Sequence, residues 1–283
     1  MVDTVHHKIE NLPPLREIIR THELRADKKF GQNFLLDGNL TDKIVRAAGK
    51  LDNCTVFEIG PGPGGLTRSL LKSDATKVIA LEFDPRVIEA LAHLKEAAKD
   101  RFDLHYKDAL AADLIEIEAE APRAIVANLP YNIATPLLVG WLGQIKRDHG
   151  AYRSMTLMFQ KEVAERITAK CGDKNYGRLG VLCQWLCECV KSFDVPASAF
   201  TPAPKVTSSI VHFKPKKLAE DSPKFESVEA VTAAAFGQRR KMIRSSLKAY
   251  VPYFEALELD ETLRAENLSV DDFIRLAKAA EKN

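Results

Sequence analysis

From Thr55 to Ala169, short apolar runs alternate with amphipathic stretches. The apolar runs suit buried parallel strands and comprise Thr55–Ile59, Val78–Leu81, Asp103–Tyr106, Ala124–Ala127 and Met155–Phe159. The stretches between them have helical periodicity and comprise Leu66–Leu71, Pro85–Lys99, Leu137–Ile145 and Lys161–Ala169. Because strands that alternate with helices build βαβ units, the pattern predicts an α/β fold around a mostly parallel sheet.

The segments around this alternation predict how the rest of the chain is organised. Leu15–Thr21, Leu40–Ala48 and Leu179–Cys187 are helix-like, whereas Val190–Val195 and Val206–Phe213 suit an antiparallel edge hairpin. A polar linker, Lys214–Pro223, precedes four helix-like stretches: Val228–Phe236, Arg239–Tyr250, Leu259–Arg264 and Val270–Ala280. We therefore expect an N-terminal arm with a short helix (1–27), an α/β domain (28–215) and a small all-helical domain (216–283).

Composition is that of an ordinary globular protein of 283 residues, with 46% hydrophobic and 28% charged residues. The sequence has no apolar run of about 18 residues and no secretion-signal pattern, so we expect a soluble, cytoplasmic protein without membrane contact. Cys183, Cys187 and Cys189 lie close together without a CxxC pair or a nearby histidine. Because this spacing does not suit zinc, we predict reduced core thiols and no metal.

Charge is distributed unevenly, although the formal net charge is only +2. Residues 201–250 contain ten Lys or Arg against four Asp or Glu, which favours contact with a polyanion. Five of these cations have a spacing that would place them together on one helix: Arg239, Arg240, Lys241, Arg244 and Lys248. Such a basic stripe would contact nucleic-acid phosphates. A solvated surface helix is the alternative.

A glycine-rich loop follows the first predicted strand. Its sequence is Glu58-Ile59-Gly60-Pro61-Gly62-Pro63-Gly64-Gly65-Leu66, and Glu82 closes the second strand. Glycines let a ligand approach the backbone, and an acid at the next strand end commonly binds ribose hydroxyls, so a nucleoside-type cofactor is indicated. NAD and S-adenosylmethionine both fit this outline. Because Pro61 and Pro63 lack the N–H groups that bind a pyrophosphate, the loop favours S-adenosylmethionine.

Polar residues also follow the third and fourth predicted strands. Asp108 is placed to accept a hydrogen bond from the cofactor's adenine amino group, although a turn aspartate is the alternative. The motif Asn128-Leu129-Pro130-Tyr131 supplies an amide, a stiff backbone and an aromatic ring where a buried strand ends. We interpret it as a site for the amino group of a flat base. An ordinary strand-to-helix turn is the alternative.

With these motifs in order, the sequence closely resembles the ribosomal RNA adenine N6,N6-dimethyltransferase family that modifies small-subunit RNA. The stretches that carry the resemblance are Lys29-Phe30-Gly31-Gln32-Asn33-Phe34-Leu35, Glu58 to Gly64, Leu81-Glu82-Phe83-Asp84, Asp108-Ala109-Leu110, Asn128 to Ile133, Tyr176-Gly177-Arg178-Leu179, Phe200-Thr201-Pro202-Ala203-Pro204-Lys205-Val206 and Gln238-Arg239-Arg240-Lys241. They run in order from about residue 28 to beyond residue 214, which makes the set highly specific. The resemblance implies a Rossmann-like, S-adenosylmethionine-dependent methyltransferase sheet with a small C-terminal helical domain.

The resemblance also implies roles for individual residues. Six would line the S-adenosylmethionine site: Asn33, Leu35, Gly60, Glu82, Asp108 and Asn128. Five would serve catalysis: Asn128, Leu129, Pro130, Tyr131 and Phe200. Phe200 would help to sandwich the target base, and the basic stripe would bind RNA.

The substrate implied by the resemblance is 16S rRNA within the small (30S) ribosomal subunit or its precursor. Two adjacent adenosines of the 3′-terminal hairpin loop would be dimethylated late in subunit biogenesis. Because the sequence has no obvious dimerisation stripe, we expect a monomer. Three alternatives stay open: a large-subunit rRNA adenine methyltransferase of the antibiotic-resistance type, a non-catalytic assembly or transcription factor, and a DNA adenine methyltransferase.

Overall fold

The structure, a computed structural model, describes residues 2–24 and 33–282. The predicted motif residues Lys29-Phe30-Gly31-Gln32 and the end of the predicted arm lie outside these ranges. The helices are α1 (Val2–Glu10), α2 (Leu15–Thr21), α3 (Gly38–Ala47), α4 (Gly65–Leu71), α5 (Pro85–Ala90), α6 (Ala92–Ala98), α7 (Leu114–Ile117), α8 (Tyr131–Arg147), α9 (Lys161–Thr168), α10 (Arg178–Leu186), α11 (Phe225–Gly237), α12 (Ile243–Ser246) and α13 (Val270–Glu281). Within the described ranges, no helix is long and apolar enough to cross a membrane.

Seven strands of the described chain form one sheet in the order β4-β3-β2-β5-β6-β9-β7. The strands are β1 (Phe34–Leu35), β2 (Thr55–Ile59), β3 (Lys77–Glu82), β4 (Phe102–Tyr106), β5 (Arg123–Ala127), β6 (Ser154–Gln160), β7 (Cys187–Val195), β8 (Phe200–Thr201) and β9 (Ser208–Pro215). Strands β2 to β6 pair in parallel, and β9 pairs antiparallel with β6. The predicted α/β fold with a mostly parallel sheet and antiparallel edge is confirmed.

The central strands are buried along nearly their whole length. All five residues of β5 are buried, as are four of the five residues of β2. A parallel sheet covered on both faces needs such continuous apolar strands, which explains why β2, β3, β5 and β6 lie within one residue of their predicted bounds. The predicted helix Pro85–Lys99 is divided at Leu91 into α5 and α6.

The predicted helix Arg239–Tyr250 is wrong. Helix α11 ends at Gly237, and a turn follows in which the Lys241 amide donates to the Gln238 carbonyl at 2.8 Å. Met242 is extended, with φ −65° and ψ 153°, and forms an antiparallel bridge with Arg264. This bridge excludes a continuous helix, so the five predicted cations do not share one helical stripe.

The predicted helix Leu259–Arg264 is also wrong. The Asp260 carboxylate accepts hydrogen bonds from the Thr262 amide at 2.9 Å and from the Thr262 hydroxyl at 2.6 Å. Local side-chain bonds of this kind compete with helical hydrogen bonding, so this segment forms turns. Its neighbour Ala265–Asn267 forms a short 3-10 helix.

The chain divides into two compact units that interleave along the sequence. The first contains Met1–Leu138, Gly150–Lys161 and Ser192–Phe213, and the second contains Val139–His149, Glu162–Lys191 and Lys214–Asn283. In the second unit α10, α11 and α13 pack together, with the Trp185 ring stacked on Phe225 and the Phe236 ring against Phe273. The boundaries at residues 27/28 and 215/216 stay a prediction.

Candidate active site

The carboxyl ends of four parallel strands of the first unit open onto one cavity of about 600 Å³. The sheet runs outward from β2 in both directions, to β3 and β4 on one side and to β5 on the other. Ligands of open α/β sheets bind where the strand order reverses in this way. The predicted site residues that line the cavity are Asn33, Leu35, Gly60, Glu82, Asp108, Asn128, Leu129, Pro130 and Tyr131.

The glycine-rich loop between β2 and α4 is shaped by its glycines. Gly60, Gly62 and Gly64 have φ values of 68°, 53° and 90°, a region that side chains other than glycine rarely adopt. A Cβ on Gly64 would lie 2.6 Å from Leu94 Cδ1, and one on Gly65 would lie 2.3 Å from the Leu35 carbonyl oxygen. The glycines therefore allow the loop to pack tightly and bring its backbone to the cavity wall.

Glu82 lies at the end of β3 and is held by the backbone. Its Oε1 accepts hydrogen bonds from the amides of Phe83 at 2.8 Å and Asp84 at 2.9 Å. The side chain is only 8% exposed, and burial raises the pKa of the carboxyl group above its usual range, against the opposing effect of these hydrogen bonds. The carboxyl group is thus fixed in position at the cavity wall.

Glu58 begins the glycine-rich motif and lines the cavity, but the sequence assigned it no role. It lies within β2, is 2% exposed, and its Oε2 has no hydrogen-bond partner within the described chain. Burial, with a smaller contribution from the nearby Glu82 charge, raises the pKa of Glu58 to about 8. The signal in the sequence was a carboxylate inside an otherwise apolar strand.

Asp108 lies at the rim of the cavity, two residues beyond β4. Its Oδ1 accepts a hydrogen bond from the Leu110 amide at 2.9 Å, so it stabilises a turn as the alternative interpretation expected, and it also lines the cavity. Beside it, the exposed rings of Phe83 and Tyr106 stack with centroids 6.0 Å apart and an interplanar angle of 9°. This flat apolar surface was not predicted, because an exposed stack depends on the pairing of β3 with β4.

Asn128 follows β5 and is oriented by the chain segment that enters β1. Its Nδ2 donates to the Asn33 carbonyl at 3.1 Å, which fixes the direction of the amide. The next residue, Leu129, is 2% exposed, and the Pro130 carbonyl accepts from the Ile133 and Ala134 amides to begin α8. The motif is therefore both a helix start and a wall of the cavity.

The Tyr131 ring is anchored at its hydroxyl group. This hydroxyl lies 2.5 Å from the Ser208 Oγ, at the start of β9. Ser208 is completely buried, and burial raises the pKa of Tyr131, which keeps the phenol protonated. A hydrogen bond between residues so far apart in sequence fixes the ring against the sheet.

Phe200 does not line the cavity with the other predicted residues. It belongs to β8, where it pairs with Leu35 of β1, and its side chain is 3% exposed within the hydrophobic core of the first unit. The structure therefore connects Phe200 to the cavity through Leu35.

The predicted RNA-binding residues occupy three different local structures of the second unit. Arg239, Arg240 and Lys241 lie in the turn after α11, and Lys248 begins a 3-10 helix. Arg244, in α12, pairs with Glu261 at 3.4 Å.

The five cysteines are free thiols, and Cys183 and Cys187 are buried. Within residues 2–24 and 33–282, no cluster of three His, Cys, Asp or Glu side chains is arranged to hold a metal. Burial raises the pKa of Cys189 to about 12, so this half-buried thiol stays protonated near neutral pH.

Comparison with known proteins gives concordant matches over nearly the full chain. The family model for ribosomal RNA adenine dimethylase matches residues 23–282. The chain is 50% identical to the ribosomal RNA small subunit methyltransferase A of Rhodospirillum rubrum, over 96% of this chain and 94% of that protein. It is 51% identical to the protein of the same name from Rhizobium etli, over 96% of this chain and 98% of that one.

Solved structures show the same likeness. A dimethyladenosine transferase from Plasmodium falciparum is 27% identical and superposes with a TM-score of 0.75, over 88% of this chain and 98% of that one. The 23S rRNA methyltransferase ErmE is 23% identical, with a TM-score of 0.66 over 88% of this chain and all of that one, and thus shares the fold.

Proposed function

Since the chain belongs to the ribosomal RNA adenine dimethylase family, we propose that it transfers methyl groups from S-adenosylmethionine to adenine N6 in small-subunit rRNA. The product is N6,N6-dimethyladenosine, and the targets are two adjacent adenosines in the 3′-terminal hairpin loop of 16S rRNA. The 30S subunit or its precursor is the substrate, late in its biogenesis, and the enzyme acts as a cytoplasmic monomer. The observation that carries this proposal is the shared cavity of Glu82, Asp108 and Asn128.

The cavity fits a cationic nucleoside cofactor. Glu58 and Glu82 place two buried carboxyl groups at its wall, and the Glu58 Oε2 lacks a partner within the described chain. Pro61 and Pro63 remove two N–H groups that a pyrophosphate would need. S-adenosylmethionine, when bound, supplies a positively charged sulfonium and an electrophilic methyl group.

Five residues besides Asn128 would hold this cofactor. Glu82 would bind the ribose hydroxyls, and Asp108 would accept from the adenine amino group beside the Phe83 ring. Asn33, Leu35 and Gly60 would form the wall around the methyl donor. Because backbone hydrogen bonds already hold the Glu82 side chain, cofactor binding would cost little of its conformational entropy.

Asn128 and Leu129 would activate the attacking nitrogen. An adenine N6 lone pair is delocalised into the ring, so catalysis has to favour a pyramidal nitrogen. Because the Asn128 Nδ2 is engaged by the Asn33 carbonyl, its side-chain oxygen is left to accept one N6 hydrogen. The Leu129 carbonyl would accept the other, and Pro130 stiffens this backbone.

Tyr131 would stack on the target adenine once that base is splayed out of its RNA loop. The bond to Ser208 holds the ring ready for this contact. Phe200 is the candidate for the opposite face of the base, which requires the ring, now 3% exposed, to become accessible when RNA binds. Arg239, Arg240, Lys241, Arg244 and Lys248 would contact RNA phosphates.

Two observations favour the small-subunit substrate over the large-subunit alternative. Relatives that are about half identical to this chain are named small-subunit methyltransferases. The likeness to the large-subunit enzyme ErmE is limited to the fold. A non-catalytic role is disfavoured because Glu82, Asp108 and Asn128 all line the cavity.

Methylation of defined substrates tests the proposal. Small subunits from cells lacking this protein, naked large-subunit RNA and single-stranded DNA of the same loop sequence are each incubated with the protein and S-adenosylmethionine. Nucleoside mass spectrometry should detect dimethyladenosine in the small subunits alone. Equal modification of large-subunit RNA or DNA, or intact dimethyladenosine in the small subunits before incubation, would refute the proposal.

A further inference from the structure

A loop between α9 and α10 is joined to the turn that follows α11. The Arg239 guanidinium, in the turn, donates a hydrogen bond to the Lys174 carbonyl, in the loop. Both segments belong to the second unit. The contact places Lys174 next to the Arg239–Lys241 turn, although more than 60 residues separate the two segments in sequence. Lys170 lies four residues before Lys174 in the same loop.

The loop is held rigidly at several points. The Asp173 Oδ2 accepts from the Lys170 amide at 2.8 Å, and the Gly172 amide donates to the Glu266 carbonyl at 2.8 Å. At its end, the buried Tyr176 ring packs edge-on against Phe236, one residue before α11 ends, with centroids 6.0 Å apart. The backbone that carries the two lysines is therefore fixed before any partner binds.

The joined segments expose five cations: Lys170, Lys174, Arg239, Arg240 and Lys241. Asp173 is the carboxylate of the loop itself, and one of its oxygens is bound to the Lys170 amide. Like charges on joined segments repel each other, and a bound polyanion relieves that repulsion. A rigid surface of this kind suits the phosphate groups of folded RNA.

We propose that the loop residues Lys170 and Lys174 and the turn residues Arg239–Lys241 form one RNA-binding surface, the two-loop basic surface. This inference rests on the proposed function and extends it to residues that the sequence did not indicate. Arg239 acts in two ways, because its charge faces RNA while its hydrogen bond holds the loop. Lys248 and the Glu261-paired Arg244 lie on other local structures.

The salt dependence of RNA binding tests the two lysines. Affinity of the full-length protein for unmodified small subunits is measured between low and moderate salt for wild type and for Lys170→Gln/Lys174→Gln. Two lost phosphate contacts should reduce the slope of log affinity against log salt by about 1.4–1.8. The control Lys214→Gln/Lys217→Gln removes the same charge from exposed positions at the end of β9 and just after it, and its slope should stay that of wild type.

The outcomes separate this surface from the proposed activity. An unchanged slope for Lys170→Gln/Lys174→Gln, or an equal reduction in the control, would refute the two-loop basic surface. This holds even if the wild-type protein methylates the subunit. Conversely, a reduced slope with no methyl transfer by wild type would support the surface and refute the enzymatic proposal. Thermal unfolding of each variant checks that these exposed substitutions leave the fold intact.

A second variant tests the link between the two loops. Arg239→Lys keeps the positive charge but lacks the planar fork that reaches a carbonyl, so the salt slope should hold while affinity falls about tenfold. Hydrogen exchange of the amides between Lys170 and Tyr176 should become faster in this variant. Wild-type affinity and wild-type exchange in Arg239→Lys would contradict the proposed link.

Discussion

Asn128 illustrates how one backbone contact decides the chemistry of a side chain. An amide has a donor end and an acceptor end, and the Asn33 carbonyl binds the donor end. The acceptor end is thereby available to a substrate amino group. The orientation of the Asn128 amide therefore determines which of its ends can bind a substrate.

Replacement of Asn128 by Ala should separate catalysis from cofactor binding. We expect Asn128→Ala to lower single-turnover methyl transfer by roughly two to three decades, because a preorganised acceptor for N6 is lost. Calorimetric affinity for S-adenosylmethionine should fall far less. A transfer rate near that of wild type would show that Asn128 has no part in the chemical step.

The bond between Tyr131 and Ser208 makes a second prediction at the residue scale. Tyr131→Phe and Ser208→Ala each remove this hydrogen bond while the ring is kept, and each should lower kcat by about fivefold, equivalent to about 1 kcal/mol. The double variant should be no slower than either single one, because both remove the same interaction.

Ser209→Ala is the matched control for that prediction. Ser209 is buried on the same strand, but its hydroxyl donates to Asp194 at 2.7 Å instead. We expect it to alter thermal stability and to leave kcat near the wild-type value. Additive losses in the double variant, or an equal loss in Ser209→Ala, would show that the bond does not position the ring.

At the scale of elements, the start of α4 depends on how closely it approaches β1. Gly65→Ala would place a methyl group 2.3 Å from the Leu35 carbonyl oxygen, so one of the two backbones has to move. We expect a loss of about 1–3 kcal/mol in stability and weaker cofactor binding, since Leu35 and Gly65 both line the cavity.

A glycine with open space around it provides the comparison. A methyl group added to Gly143, in α8, would meet nothing within 4 Å, so Gly143→Ala should be neutral or slightly stabilising. Chemical unfolding and cofactor titration of both variants would measure the difference. Equal stability and equal cofactor affinity of Gly65→Ala and Gly143→Ala would mean that a small backbone movement relieves the contact with Leu35.

The accuracy of prediction differs between elements for a physical reason. The central strands were placed well from sequence because strands covered on both faces are continuous apolar runs. The segment Arg239–Tyr250 has helical spacing too, but Met242 pairs with Arg264, and this bridge prevents one continuous helix. Local periodicity contains no information about a partner more than twenty residues away, so this part could not be predicted.

The candidate site shows the same limit. Glu82, Asp108 and Asn128 stand at strand ends, where position in the fold follows from the alternation of strands and helices. Glu58 lies inside a strand, and the Phe83–Tyr106 stack needs the register of two strands, so neither followed from spacing. The resemblance to a family identified the shared motifs but not these contacts.

At the scale of the whole molecule, the Glu58 carboxyl group connects folding to pH. Because its folded pKa of about 8 exceeds its ordinary value of 4.5, the folded protein holds a proton that the unfolded chain releases. The contribution of Glu58 to the free energy of unfolding is therefore complete below about pH 4.5. It is lost as the pH rises toward 8, by up to about 1.4 kcal/mol per pH unit.

The variant Glu58→Gln tests this linkage. It cannot ionise, so the difference in unfolding free energy between variant and wild type should shift in favour of the variant between pH 5 and pH 8. Denaturant unfolding at several pH values measures that difference. Parallel pH profiles for the two proteins would mean that Glu58 ionises normally in the folded state.

The short pairing of β1 with β8 has a thermodynamic consequence. It joins Leu35, at the cavity wall, to Phe200, the candidate for contact with the target base, through one ladder of backbone hydrogen bonds. If a bound cofactor shifts this ladder, affinity for RNA changes by some factor, and RNA must change affinity for the cofactor by the same factor. Binding of the cofactor and binding of RNA would then be coupled before the methyl group is transferred.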